Sequence, residues 1–378
     1  MFKRRAFKIF IFAFIFAFIF QGLRWKEFRI LDGSVWSDQA FYVQSGDVRE
    51  FDFTKAYGHP GGTVIEGVSS LSNLFDPSRK HSTQILMLFL SFFNSLTIAG
   101  VCVLCYLLRK NDYWWIIALS ILSLDRLYDF ATPPTAIVTP LVVFLSLLTL
   151  YLYENKEKIH IRHILCWSLV AGLSIATRFD IGIFCASSLG LFLVFKKVIN
   201  LRNIFFAVGG TLASFVLFDP FMWFMPVQHI KDLIYKIIFH YAEYTPTHLS
   251  FSNVFYFSVL AFIGVILSIM ILFSKKKIKS PLPLDFTIIL LSMTSVLYVI
   301  FLTAHYQAQR YFQPIISIWE MFLPILIFAF LPKIFPAYST EKKQKITAFF
   351  FVVFSVCVFF LNYIILPVLV LPVYLYYR

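Results

Sequence analysis

Eleven apolar runs, each bounded by charged or turn-forming residues, set the terms for what this chain can fold into. They lie at 9–20, 85–108, 113–131, 134–153, 164–177, 181–195, 204–218, 251–273, 285–303, 314–331 and 346–366. About 20 apolar residues in a helix cross the roughly 30 Å hydrocarbon core of a bilayer. Residues are 59% hydrophobic and only 14% charged over a length of 378, whereas soluble domains carry about 25% charge. A water-soluble enzyme is therefore excluded. The expected fold is an all-α polytopic membrane protein, one integral unit over 1–378 with about 11 transmembrane helices. Region 334–378 holds the last span and a tail, 367–378, which either re-enters the membrane or supplies part of a twelfth helix.

The net charge of +13 does not point to nucleic acid, because the cations fall in short clusters between apolar runs, as cytoplasmic loops require. Met1-Phe2-Lys3-Arg4-Arg5 followed by an apolar run looks like the start of a signal peptide. Gln21-Gly22-Leu23-Arg24 offers no small-x-small cleavage site, so this reads as an uncleaved first span. With the N-terminus inside, 20 of the 33 Lys and Arg face the cytoplasm, while six of eight His and 14 of 20 acids face outward. Groups able to move protons thus collect on the extracytoplasmic side. The odd count of five cysteines argues against a disulfide framework. Cys102 and Cys105 have redox-like spacing but sit inside an apolar run, where thiols serve as small packing groups.

Two outward segments exceed what a turn needs. Residues 24–84 form a long first loop rich in aromatics, and within it Thr63–Phe75 has the spacing of an amphipathic helix lying at the membrane interface or packed on the protein. The second, 219–250, opens Asp-Pro-Phe-Met-Trp-Phe-Met-Pro and has helical spacing over His229–Tyr241.

The first loop contains Trp36-Ser37-Asp38-Gln39-Ala40-Phe41-Tyr42 and then Tyr57-Gly58-His59-Pro60-Gly61-Gly62. Here the chain resembles the GT-C glycosyltransferases, in particular the branch with protein O-mannosyltransferases and lipid A aminoarabinose transferases. That branch opens its first outer loop with Asp-Glu and a downstream aromatic, followed by His-Pro-Pro-Leu. This chain has Asp38-Gln39 and His59-Pro60-Gly61 instead. Ala171-Gly172-Leu173 running into Arg178-Phe179-Asp180 is similar to the family's Gly-Leu-Ala run ending in a basic residue and an aromatic. Arg310-Tyr311-Phe312-Gln313-Pro314 is similar to its Arg-Tyr-x-x-Pro start of a late span. The likeness covers roughly 1–330 and rests on order rather than on any one motif.

The resemblance implies an inverting transfer of a sugar from a polyprenyl phosphate to an acceptor outside the membrane, with the first loop as the catalytic loop and Asp38 as base. The acceptor is a glycan, a lipid or a protein. A carboxylate beside apolar walls can act as a base; its alternative role is pairing with one of the loop's cations. Arg178 and Arg310 stand nearly alone between spans, where charge is costly and usually functional, and guanidinium matches phosphate geometry. A pair with Asp180, or snorkelling to headgroups, would also account for them. Tyr42, His59, Asp125, Asp129 and Asp180 are candidates for orienting the acceptor or the loop. Asp38 and His59 are a weak candidate pair for a divalent metal, and no other cofactor is implied. Glu320 reads as part of a structural pair with His305 or Arg310. A bacterial inner membrane, with the site facing outward, suits a compact chain of this kind.

Two other classes compete. A lipid-linked oligosaccharide flippase would show repeated halves and mid-membrane charge, and neither is evident in the sequence. An O-antigen polymerase or ligase would have its largest loop late, and here it is early.

Overall fold

The computed structural model describes residues 4–29, 74, 82–109, 112–124, 133–219 and 221–235. Its elements are helical, with no strand among the described residues. In chain order they are α1 (Arg4–Arg29), α2 (Ser82–Arg109), α3 (Asp112–Leu124), α4 (Pro133–Glu154), α5 (Ile161–Thr177), α6 (Phe179–Phe195), α7 (Leu201–Phe218), the single turn α8 (Phe221–Phe224) and α9 (Pro226–Tyr235). Each of the first seven apolar runs coincides with one of α1–α7. Segments Arg4–Gly22, Leu88–Leu108, Ala136–Glu154 and Leu201–Phe218 are long and apolar enough to cross a membrane, and α5 and α6 are shorter apolar helices. The later runs, from 251 onward, and most of Thr63–Phe75 lie outside the described residues.

One boundary differs from the sequence expectation. Helix α1 continues to Arg29, through residues assigned to the first loop, because Arg24-Trp25-Lys26-Glu27-Phe28-Arg29 contains no Gly or Pro to stop it. Helix α3 is described over Asp112–Leu124, and the rest of the run expected to 131 lies outside the described residues.

The distribution of apolar side chains identifies the solvent. Leu201 is 84% and Phe205 75% exposed, and Phe7, Phe12, Ile15, Leu165, Leu169, Leu191 and Leu212 also face outward. A helix apolar on both its buried and its exposed faces belongs in lipid. The hydroxyls agree: Ser95, Ser146, Thr149, Ser174, Thr177 and Thr211 each donate to the carbonyl four residues back. In hydrocarbon, polar groups must find partners within the protein. The described part is all-α and carries four helices long and apolar enough to cross a membrane, consistent with an all-α membrane protein.

In α1 the alternating phenylalanines resolve into two ladders, Phe10–Phe14–Phe18 and Phe12–Phe16–Phe20, with neighbouring rings stacked. Ala6, Ala13 and Ala17 are buried, so the helix packs closely against α2 through its small residues. Cys102 and Cys105 are free thiols buried in the core, in keeping with the packing role. Helices α4 and α5 are antiparallel and joined by a buried relay: Trp167 Nε1 donates to Thr149 Oγ1 at 2.8 Å, and Thr149 Oγ1 donates to Leu145 O at 2.8 Å.

Among the described helices, the pair in most extensive contact is not consecutive in the chain. Helices α5 and α7 run parallel, with α6 as the return. Ser214 Oγ donates to Leu169 O at 2.8 Å; Ser168 Oγ lies 2.8 Å from Ile164 O and 3.1 Å from Ala207 O and shares its proton between its own helix and the neighbour. Ser168 and Gly172 on α5 face Gly210 and Ser214 on α7, each pair four apart, which is the small-xxx-small pattern of close membrane helix crossings. A Cβ on Gly172 would lie 2.6 Å from Phe215 N, so only glycine permits this approach.

These pairings also sort the charges. Lys156, Lys158, Arg162, Lys196, Lys197 and Arg202 gather at one end of the α4–α7 bundle, on its turns and adjoining helix ends. Arg178 and Asp219 emerge at the other.

Candidate functional site

Helix α5 stops at Thr177 and α6 starts at Phe179, leaving Arg178 between them in an extended conformation (φ −152°, ψ 101°). Its N–H donates to Ser174 O at 3.0 Å, and its carbonyl accepts from Gly182 N–H at 2.8 Å, so one residue closes one helix and opens the next. The turn is this tight because Gly182 has no side chain: a Cβ there would run into the backbone of Ser174 and Ile175. Arg178 is 3% exposed. Arg178 is thus an enclosed cation at the junction of two apolar helices, a costly position for charge. Asp180 occupies the first turn of α6.

One residue before Arg178, Thr177 lines a cavity of about 390 Å³ between α1, α2, α4 and α5, together with Phe10, Phe93, Gly100, Pro140, Leu147 and Leu173. Thr177 directs its hydroxyl proton to Leu173 O at 2.8 Å, and the other lining side chains are apolar. From Ile137 to Leu147, both in the lining, the cavity runs along α4 for about 15 Å at 1.5 Å per residue.

At the same end lies a pair that the sequence reading did not single out. Asp219 comes directly after the last residue of α7, and its carbonyl accepts from Met222 N–H at 2.9 Å, which begins α8. The chain then turns through α8 into α9, whose first residue, Pro226, has the fixed φ favoured there. This brings His229 back so that Nε2 is 2.8 Å from Asp219 Oδ2, with both residues buried. Phe221 stacks on the imidazole at 5.2 Å. His229 Nδ1 has no hydrogen-bond partner among the described residues. A carboxylate that fixes one ring nitrogen sets the orientation of the other, so the pair can hold a proton at a defined place or pin α9 to the end of α7. The available sequence signal was an acid immediately after an apolar run with a histidine ten residues on.

The parallel register of α5 and α7, with Phe179 and Phe215 rings 6.1 Å apart, brings Arg178 and the Asp219–His229 pair out on one end of the bundle. Of the residues predicted from sequence, Arg178 and Asp180 are in the described region. Asp38, Tyr42, His59, Asp125, Asp129, Arg310 and Glu320 lie outside it. Among the described residues no group of three His, Cys, Asp or Glu could hold a metal ion. No family model matches the chain, and no curated protein matches its sequence.

Proposed function

We propose that this protein is a GT-C type membrane glycosyltransferase that takes a sugar from a polyprenyl-phosphate donor and passes it to an acceptor at the extracytoplasmic surface. The observation that carries the reading is the buried Arg178 guanidinium at a helix break, one residue from an apolar cavity. A lipid phosphate needs those two environments side by side, a cation for the head and an apolar groove for the chain.

In this reading Asp38 takes the proton of an acceptor hydroxyl. The acceptor oxygen attacks the anomeric carbon from the face opposite the phosphate, the anomeric C–O bond to phosphate breaks, and configuration inverts. Polyprenyl phosphate leaves as an anion held by Arg178 and Arg310. It needs no protonation, so one carboxylate suffices, whereas glycosidases generally use two.

The test is reconstitution into vesicles with polyprenyl-phosphate-linked radiolabelled sugars and extracted envelope glycans, lipids and proteins as acceptors. Asp38→Asn should lower turnover by about 10²–10⁴-fold, the usual worth of a general base, while donor binding persists. Arg178→Gln and Arg310→Gln should each weaken donor binding roughly tenfold or more, from about 1.5–3 kcal/mol per charged hydrogen bond. Movement of intact donor lipid between leaflets without release of polyprenyl phosphate would replace this reading with a flippase.

A further inference from the structure

Helix α7 has 18 residues, about 27 Å at 1.5 Å per residue, so it uses up the hydrocarbon core of a bilayer by Phe218. The short helices α8 and α9 that follow it directly therefore lie at headgroup depth. There α8 and α9 present three distinct surfaces. His229 and Leu233 are buried against the bundle. Val227, Ile230 and Ile234, at helical spacing, form an exposed apolar face, continued by exposed Trp223 and Phe224 on α8. Gln228, Lys231 and Asp232 occupy the remaining side, where Gln228 Nε2 donates to Asp232 Oδ1 at 2.8 Å.

We infer that α8–α9 is an interfacial element whose exposed apolar face is covered by bilayer lipid at the boundary between headgroups and acyl chains. Continuity identifies the occupant. Trp223 Nε1 donates to Val216 O on the last turn of α7, and Val216 and Leu217 are themselves part of the exposed apolar surface of α7. The lipid-facing surface of the spanning helix therefore passes without interruption onto Trp223, Phe224 and α9. An indole at this depth places its ring in the acyl boundary and its N–H on a polar acceptor. The Asp219–His229 bond fixes the roll of α9 about its axis, which keeps the apolar face toward lipid. Lys231 and Asp232 cancel in charge, so apolar burial rather than attraction to anionic headgroups drives the contact. This inference needs only that the bundle is in a membrane and is independent of the proposed catalysis.

The experiment uses the unmodified full chain, reconstituted in phosphatidylcholine vesicles that contain phosphatidylcholine with a diazirine high on one acyl chain. After illumination, adducts are located by peptide mass spectrometry. Adducts are expected at Trp223, Phe224, Val227, Ile230 and Ile234, several-fold above Gln228, Lys231 and Asp232, and unchanged when half the lipid is phosphatidylglycerol. Adducts on Leu212 and Val216 with none over 223–234, and hydroxyl-radical labelling of that face from the water, would overturn the inference, because the face would then be in water. Missing adducts on that face together with its protection from hydroxyl radicals generated in the water would overturn it in favour of a protein occupant, another part of this chain or a second copy. Equal labelling of polar and apolar positions would overturn the fixed roll.

Discussion

Replacing Gly172 by alanine tests the α5–α7 contact directly. An added Cβ would lie 2.6 Å from Phe215 N, against an ordinary contact of about 3.5 Å, so the helices must part by roughly 1 Å. That carries the Ser214–Leu169 and Ser168–Ala207 contacts, now 2.8 and 3.1 Å, out to about 4 Å, where neither is a hydrogen bond. Overpacking costs about 1–3 kcal/mol, and interhelical hydrogen bonds in bilayers average about 0.6 kcal/mol each. The packing loss is therefore about 2–4 kcal/mol. The comparison variant is Gly209→Ala, whose Cβ would meet nothing within 4 Å. Both changes make the same gain in helix propensity, about 1 kcal/mol, so their difference isolates the packing. Gly210→Ala, with Ser168 Cβ at 2.9 Å, should fall between them. Reversible SDS unfolding in mixed micelles gives the ranking. Equal stability of the Gly172→Ala and Gly209→Ala proteins would refute the close approach of α5 and α7.

Other outcomes depend on single contacts. Thr149→Val keeps the shape but leaves the buried Trp167 N–H without its acceptor, and should lower stability by about 1–3 kcal/mol in the same unfolding assay; Thr149→Ser, which keeps the oxygen, should retain most of it. His229→Leu removes the imidazole that holds α9 to Asp219 and should free α9 while the bundle persists, seen as faster backbone hydrogen exchange over 226–235 with unchanged exchange in α4–α6. For orientation, a membrane-impermeant maleimide added to intact cells should label Lys231→Cys and spare Lys158→Cys, and the reverse pattern would invert the topology read from the basic residues.

Hydropathy made the described spans legible because each apolar run is cut by charge. The run at 204–218 became Leu201–Phe218 and that at 134–153 became Pro133–Glu154, since ending a lipid-facing helix requires residues that prefer water. Hydropathy carries no record of which helices touch. The α5–α7 pairing depends on Gly172 meeting Phe215 and on two serine hydroxyls, a match of small residues that adds nothing to an apolar score. Arg178 was legible for the opposite reason, as a lone cation between two apolar runs. The partnership of Asp219 with His229 was not, because it arises from the turn at 221–224 that folds α9 back, and both residues look ordinary at the end of a span.

The α5–α7 contact has a consequence for how the chain is made. Its two hydrogen bonds join residues 39 and 45 apart in sequence, so at about 5–20 residues per second several seconds of synthesis separate the partners. During that interval α5 stands without α7. Ser168 has an acceptor in Ile164 O on its own helix, and its hydroxyl is satisfied while it waits. Leu169 O belongs to a regular helix and likewise lacks nothing before Ser214 arrives. The earlier helix is thus self-sufficient at both positions, and the later one brings the proton that makes the second bond, an order of manufacture that leaves neither Ser168 nor Leu169 wanting a partner while α7 is still to come.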